Sequence, residues 1–200
     1  MEMDVTKLDK QAVYRFLTSA VTPRPIAFVT SVAGNGSINA APFSYFNVVS
    51  AEPPLLSISV GRREGRSKDT ARNIIENEEF VVHLPEAFMI EAVNQTAMNA
   101  SPDESELQYV SLETIESTAV KVPAIKEARV RLECRLERHL VFEEGSSAAD
   151  MIIGRIIHAH VEDGMLEGGV LDPEDWRPVA RLGGKKYAEL GRIFELERPQ

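Results

Sequence analysis

Ala128-Arg-Val-Arg-Leu-Glu-Cys-Arg-Leu-Glu-Arg-His-Leu-Val-Phe142 is the stretch on which the fold turns. In an extended chain, Val130, Leu132, Cys134 and Leu136 fall on one face, and Arg129, Arg131, Glu133, Arg135 and Glu137 fall on the other. This period of two predicts a strand with one face on a core and the other toward water. Residues 151–162 read as a second long strand, and Glu143-Glu-Gly-Ser-Ser147 helps to connect the pair. Half-buried strands joined in this way belong to antiparallel sheets.

Outward from this pair, residues 26–32 read as a strand. The Asn35-Gly36 pair in the turn over 33–37 favours a hairpin into residues 38–43. Pro42 confines that strand to a sheet edge or marks its end. Residues 55–60 form a further strand after Glu52-Pro-Pro54, residues 67–77 a helix, and residues 79–84 a strand closed by Pro85. Residues 9–17 look like a leading helix. Residues 86–99 have helical spacing in Phe88, Ala92 and Gln95, with Met89 and Val93 on the adjoining row. Residues 101–118 are polar and acidic and read as a long loop, and residues 181–190 as a glycine-rich loop with a short helix. Strands outnumber helices, so the expected fold is mainly β, an antiparallel barrel with attached helices. It is expected as one domain over residues 1–200, with residues 1–20 an N-terminal extension and 163–200 a C-terminal segment.

Lys and Arg number 22 against 31 Asp and Glu, a net charge of −9, which argues against general nucleic-acid binding. The hydrophobic share of 44% is that of a soluble globular protein, and no apolar run approaches the roughly 20 residues that span a bilayer. The first residues show no signal peptide, and one cysteine excludes an internal disulfide framework; the expected location is the cytoplasm.

Against this acidic background, Arg62, Arg63, Arg66 and Lys68 crowd into Gly61-Arg-Arg-Glu-Gly-Arg-Ser-Lys-Asp-Thr70, between a strand and a helix. Ser67 is read as the helix N-cap. A solvated turn is the plain alternative, but a basic loop feeding a helix N-terminus suits an anion such as phosphate. A P-loop is excluded because no Gly-x-x-x-x-Gly-Lys-Ser/Thr occurs, and Gly34-Asn-Gly36 leads into a strand rather than a Rossmann helix. In Asn39-Ala-Ala-Pro-Phe-Ser-Tyr-Phe-Asn47, small residues, aromatics, Ser44 and Asn47 suit a flat heterocycle, although Phe43, Tyr45 and Phe46 could equally fill a barrel core. A flat ring beside a phosphate loop points to flavin mononucleotide (FMN).

Thr22-Pro-Arg-Pro-Ile-Ala-Phe-Val-Thr-Ser31, the Asn39–Asn47 stretch, Ser67-Lys-Asp-Thr-Ala-Arg-Asn-Ile74 and Arg181-Leu-Gly-Gly…Tyr187 together resemble the flavin reductase-like family of FMN-binding split barrels. The resemblance implies a six-stranded antiparallel split barrel, usually a homodimer, in which FMN is reduced by NADH or NADPH or carries electrons, with a protein electron-transfer partner in the latter role. It places Ser67, Lys68 and Thr70 at the FMN phosphate, with Arg62 and Arg66 as helpers. Thr30 and Ser31 would lie beside the flavin through their backbone, and Ser44, Tyr45, Phe46 and Asn47 would line the ring and ribityl chain. Arg24, fixed between two prolines, is a further contact, and Asn94 and Tyr187 are rim groups. The cofactor does the chemistry in such a site, so no catalytic acid, base or nucleophile is assigned. An FMN-containing electron carrier without NAD(P)H oxidation and a non-enzymatic flavin- or haem-binding barrel remain as alternatives.

His158 and His160 share a strand face without a recognisable third ligand, so no metal site is expected. His83 reads as a satisfied structural histidine or a ligand-facing one, Cys134 as inert core, and Glu104 and Glu106 as part of a solvated loop. Trp176 is expected to anchor the C-terminal segment or a dimer contact.

Overall fold

The computed structural model describes residues 2–98, 104–144, 147–172 and 175–199. Helix α1 (Lys10–Ala20) leads into the short strand β1 (Arg24–Pro25). Strands β2 (Ala27–Val32), β3 (Ile38–Phe43), β4 (Phe46–Ala51) and β5 (Pro54–Gly61) follow, then α2 (Asp69–Asn77), β6 (Glu79–His83) and α3 (Ile90–Gln95). Beyond the short pair β7 (Thr114–Ile115) and β8 (Ala124–Ile125) run the long strands β9 (Val130–Glu144) and β10 (Ser147–Val161). The chain ends in two small hairpins, β11 (Leu166–Glu167) with β12 (Val170–Leu171), and β13 (Ala180–Arg181) with β14 (Tyr187–Ala188). Among the described residues, no helix is long and apolar enough to cross a membrane.

The main sheet runs β3-β2-β6-β9-β10-β5-β4, antiparallel at every pairing. It has seven strands where the family resemblance implied six, because residues 46–51 pair with β5 as an extra edge. Its two edge strands, β3 and β4, are joined by Ser44 and Tyr45 alone. A connection that short requires the sheet to roll until its edges meet, so this is a barrel closed by a chain crossing rather than by a ladder. The Tyr45 carbonyl accepts the Ser59 N–H at 2.8 Å within that split. Pro42 lies on the edge strand β3, as expected of a residue that cannot donate.

The barrel interior gathers Val29, Leu56, Ile58, Phe80, Cys134 and Ile152, and α2 closes one end by adding Ala71 and Ile74. Gly154 stands against Phe80, and a Cβ there would lie inside the contact radius of the ring. Only glycine leaves room for the phenyl group, and the β9–β10 register shifts at this point. Outside the barrel, α3 and the region before β9 cover Phe28 and Ala40, while Val120, Val122 and Ala124 cover Val81.

That outer cover corrects the expectation that the charged face of residues 128–142 lies in water. Arg131 and Glu133 are buried, and the Glu133 carboxylate accepts the N–H groups of Thr118, Ala119 and Val120 at 2.8, 2.5 and 3.1 Å. A period of two shows which residues share a face, not whether a later segment covers it. Glu106 is likewise buried rather than solvated. The helix expected over 86–99 is confined to a 3-10 turn and α3; residues 99–103, which end it and open the acidic loop, lie outside the described residues.

The C-terminal segment folds back onto the barrel. Val179 N–H donates to the Pro85 carbonyl at 3.0 Å, and the buried Glu86 carboxylate holds the Arg129 guanidinium and the Arg177 N–H. Half-buried Trp176 lies in this stretch with its indole N–H unpartnered among the described residues. β13 then pairs with β1, Arg24 opposite Arg181. Residues 181–190 form a hairpin rather than a short helix, since Leu182 N–H bonds the Lys186 carbonyl across the glycine turn.

Candidate functional site

The basic loop is built around a tight turn. Arg63 and Arg66 exchange both backbone hydrogen bonds at 2.9 Å, and Glu64 and Gly65 between them have φ of 51° and 77°. Positive φ at both central residues is the geometry of a two-residue hairpin turn, for which Gly65 suits the second position. Below the turn sits Asp150 of β10, wholly buried. It takes the Arg62 guanidinium at 2.9 to 3.1 Å, His139 Nε2 at 2.8 Å and the Ser67 hydroxyl. Burial alone would raise the proton affinity of Asp150, but these hydrogen bonds outweigh it and hold the carboxyl below its ordinary range.

This network accounts for Arg62 and corrects the reading of Ser67. Arg62, which also reaches Glu143 at 3.1 Å, is bound to carboxylates and positions the loop rather than reaching out as a free cation. Ser67 is not the helix cap: the N-cap of α2 is Lys68, and no side chain caps that end. At α1, by contrast, Asp9 accepts the Ala12 N–H at 2.8 Å. The first-turn N–H groups of α2 are therefore left for an external acceptor, with Lys68 and Arg66 beside them.

Three depressions meet at Pro42 and Phe43, on the split between the sheet edges. The first, of about 420 Å³, holds Arg66, Ser67, Lys68 and Thr70. The middle one, of about 930 Å³, contains Tyr14, Ser44, Tyr45 and Lys68 and reaches the β9–β10 hairpin tip at Phe142. The third, of about 220 Å³, lies under the β13–β14 hairpin with Arg24, Asn94, Arg181 and Tyr187. Together they form one cleft, cationic at both ends.

At the first end, Asn39 accepts the Thr70 hydroxyl proton at 2.8 Å and donates to Glu106 Oε1 at 3.3 Å, in the amide orientation that satisfies both neighbours. Glu106 Oε2 accepts the Ala40 N–H at 2.9 Å. Burial raises the proton affinity of Glu106 against the pull of that N–H. At the far end, Arg24 donates to the carbonyls of Thr18 (2.7 Å), Val21 (2.5 Å) and Leu182 (3.1 Å), tying α1 to the glycine turn. Tyr187 donates its hydroxyl to Asn94 Oδ1 at 2.7 Å.

The cleft thus brings together Arg24, Ser44, Tyr45, Arg62, Arg66, Ser67, Lys68, Thr70, Asn94 and Tyr187, with Arg62 on the wall of the middle depression. Thr30 and Ser31 do not join them. Both are wholly buried; the Thr30 hydroxyl bonds the Pro123 carbonyl, and Ser31 takes the Asn73 amide under α2. Phe46 packs on the barrel core, and exposed Asn47 turns its amide oxygen to the Val48 N–H. Sequence reasoning missed Tyr14, Asn39, Glu106, His139, Asp150 and Arg181. Arg181 lay in a quoted motif and could have been found, whereas Asp150 meets Arg62 only through the β5–β10 pairing.

An antiparallel barrel split between its edge strands, with an uncapped helix end opening onto the split, defines a split barrel with an anion-receptive cleft. The chain belongs to the flavin reductase-like family: residues 19–177 match the Flavin reductase like domain. It is 52% identical over 197 residues to the uncharacterized protein YwrF of Bacillus subtilis, covering 96% of each chain. Among solved structures it resembles nitrilotriacetate monooxygenase component B from Bacillus cereus (44% identity, TM-score 0.96, 98% of each chain). It also resembles 2-nitrobenzoate 2-nitroreductase from Pseudomonas fluorescens (30% identity, TM-score 0.90, covering 100% of this chain and 96% of the other). A split barrel domain from Shewanella frigidimarina shares the fold at 21% identity and a TM-score of 0.86, covering 100% of both chains.

Proposed function

We propose that this protein is an FMN-dependent oxidoreductase of the flavin reductase type, using NADH or NADPH as hydride donor. The observation that carries the reading is the uncapped N-terminus of α2, set beside Lys68 and Arg66 where the cleft opens. The donor set fits a phosphomonoester: free N–H groups, a lysine, an arginine and the positive end of a helix converge. The volume also fits, since the middle depression of about 930 Å³ lies within the roughly 300–1,000 Å³ of small-molecule sites.

Lys68 and Arg66 would hold the phosphate, with Thr70 held by Asn39 below them. Ser44 and Tyr45 would flank the ring, and Asn94 and Tyr187 would form the rim beyond it. Arg24 and Arg62 hold the walls in place through α1, the glycine turn and β10. Bound FMN supplies the hydride and electron chemistry, and the protein binds, orients and shields the reactants. The reading extends to one domain over residues 1–200, a cytoplasmic location and a homodimer in which the outer edge of β4, with Val48 and Val49 exposed, meets a second copy; a monomeric mass in solution would remove the last.

In an FMN titration followed by flavin fluorescence, Lys68→Ala should weaken binding about tenfold, the loss of one charge-assisted contact of ~1.5 kcal/mol. Unchanged affinity refutes the phosphate assignment. Purified protein should oxidise NADH or NADPH when FMN and an acceptor are supplied; FMN binding without such oxidation leaves an electron carrier instead.

A further inference from the structure

The depression under the β13–β14 hairpin has an unusual charge balance. Two guanidiniums, Arg24 and Arg181, line it, and among the described residues no acidic side chain does, in a chain whose net charge is −9. The two differ in what they have left to offer. Arg24 is buried, and its donors go to three carbonyls and, at 3.5 Å, the Ser44 hydroxyl. It contributes positive charge and little free bonding capacity. Arg181 donates to the Gly184 carbonyl at 2.7 Å and stacks 4.4 Å over the Tyr187 ring. A guanidinium has five N–H donors, so most of those on Arg181 remain available among the described residues. Stacking and the Gly184 bond hold it in one orientation, and Tyr187 is itself fixed by Asn94.

The rest of the lining is mixed: Thr18, Ser44 and Asn94 add polar groups, while Phe43, Ile90 and Tyr14 supply apolar and aromatic surface. The volume of about 220 Å³ admits a single ring but not a dinucleotide. A fixed arginine with an open fork matches a carboxylate bidentately, and the apolar and aromatic surface matches the ring that carries it. We propose that this depression binds a small aromatic carboxylate, anchored by Arg181, with Arg24 as a background charge. The inference deepens the functional reading in one respect: the acid would be the second substrate of the FMN-holding cleft, in contact with the middle depression through Phe43 and Ser44.

Benzoate is the probe, with benzamide as its uncharged counterpart and inorganic phosphate as the non-aromatic anion. Each is titrated into the full-length protein by calorimetry, with and without FMN. Benzoate should bind, benzamide and phosphate should bind at least about tenfold more weakly, and Arg181→Met should weaken benzoate by a similar factor. Ala97→Trp, at the exposed rim shared with the Lys68 depression, should block benzoate in the protein without FMN by filling the space under the hairpin. Circular dichroism checks that both variants fold. Equal binding of benzoate and benzamide, phosphate binding as tight as benzoate, or a benzoate affinity that neither variant lowers overturns the proposal. The FMN titration separates the two readings. Benzoate failure with intact FMN binding removes only this site, and benzoate binding without FMN affinity removes only the flavin function.

Discussion

His83 shows how one side chain can be fixed in charge and tautomer by its surroundings. Its Nδ1–H donates to the Phe28 carbonyl at 2.8 Å and its Nε2 accepts the Ile125 N–H at 2.8 Å, in a wholly buried position. Both bonds require the neutral ring, and burial pushes the imidazole down from 6.5 to about 4, opposed by the Phe28 carbonyl and assisted by Arg131. The folded state therefore binds the proton less readily than the unfolded state. Stability is complete above about pH 6.5 and falls as pH drops toward 4, by up to about 3 kcal/mol. Denaturant unfolding between pH 7 and pH 4 should show this loss in the wild type, and His83→Gln should flatten it. An equal decline in the variant would assign the loss to other groups. The carboxylate of Asp150, held low, contributes its own loss only at still lower pH.

At the scale of elements, the anion loop is positioned by a strand that is distant in sequence. β5 and β10 pair Val60 with Asp150, which brings a buried carboxylate beneath the turn to gather Arg62, Ser67 and His139. Without that gathering, the loop between Arg62 and Ser67 would lose the anchor that fixes it beside the α2 N-terminus. Asp150→Asn should therefore lower the melting temperature by several degrees and weaken FMN binding severalfold. The two effects are read by calorimetry and by flavin titration. A loss of stability with no change in affinity would show that the network supports the barrel alone.

The whole molecule depends on its C-terminal segment returning to the barrel, since Arg181 and Tyr187 complete one end of the cleft. Glu86 is the clamp: nearly buried, it holds the Arg129 side chain and the Arg177 N–H, while the Pro85 carbonyl takes Val179. Glu86→Ala should destabilise the protein by about 2 kcal/mol, below the roughly 3–5 kcal/mol of a fully buried pair because Arg129 keeps some solvent access. Hydrogen exchange should quicken in residues 175–188 and stay slow in β2, β6 and β9. Uniform quickening throughout would mean that the clamp and the barrel unfold as one unit.

Much was legible without coordinates because it depends on local physics. The period of two in residues 128–142, the Asn-Gly turn, Pro42 at an edge and the basic loop before a helix are properties of neighbouring residues, and each corresponds to a feature of the structure. The tertiary structure decided what lies over and beneath those elements. Residues 118–120 cover Glu133 with their N–H groups, Asn73 of α2 takes the Ser31 hydroxyl, and Asp150 ties Arg62 to β10. Hydrogen bonding and burial between distant segments leave no periodic trace in the chain, so pattern alone could name the cationic loop but not the residues that hold it in place or the arginine that faces it across the cleft.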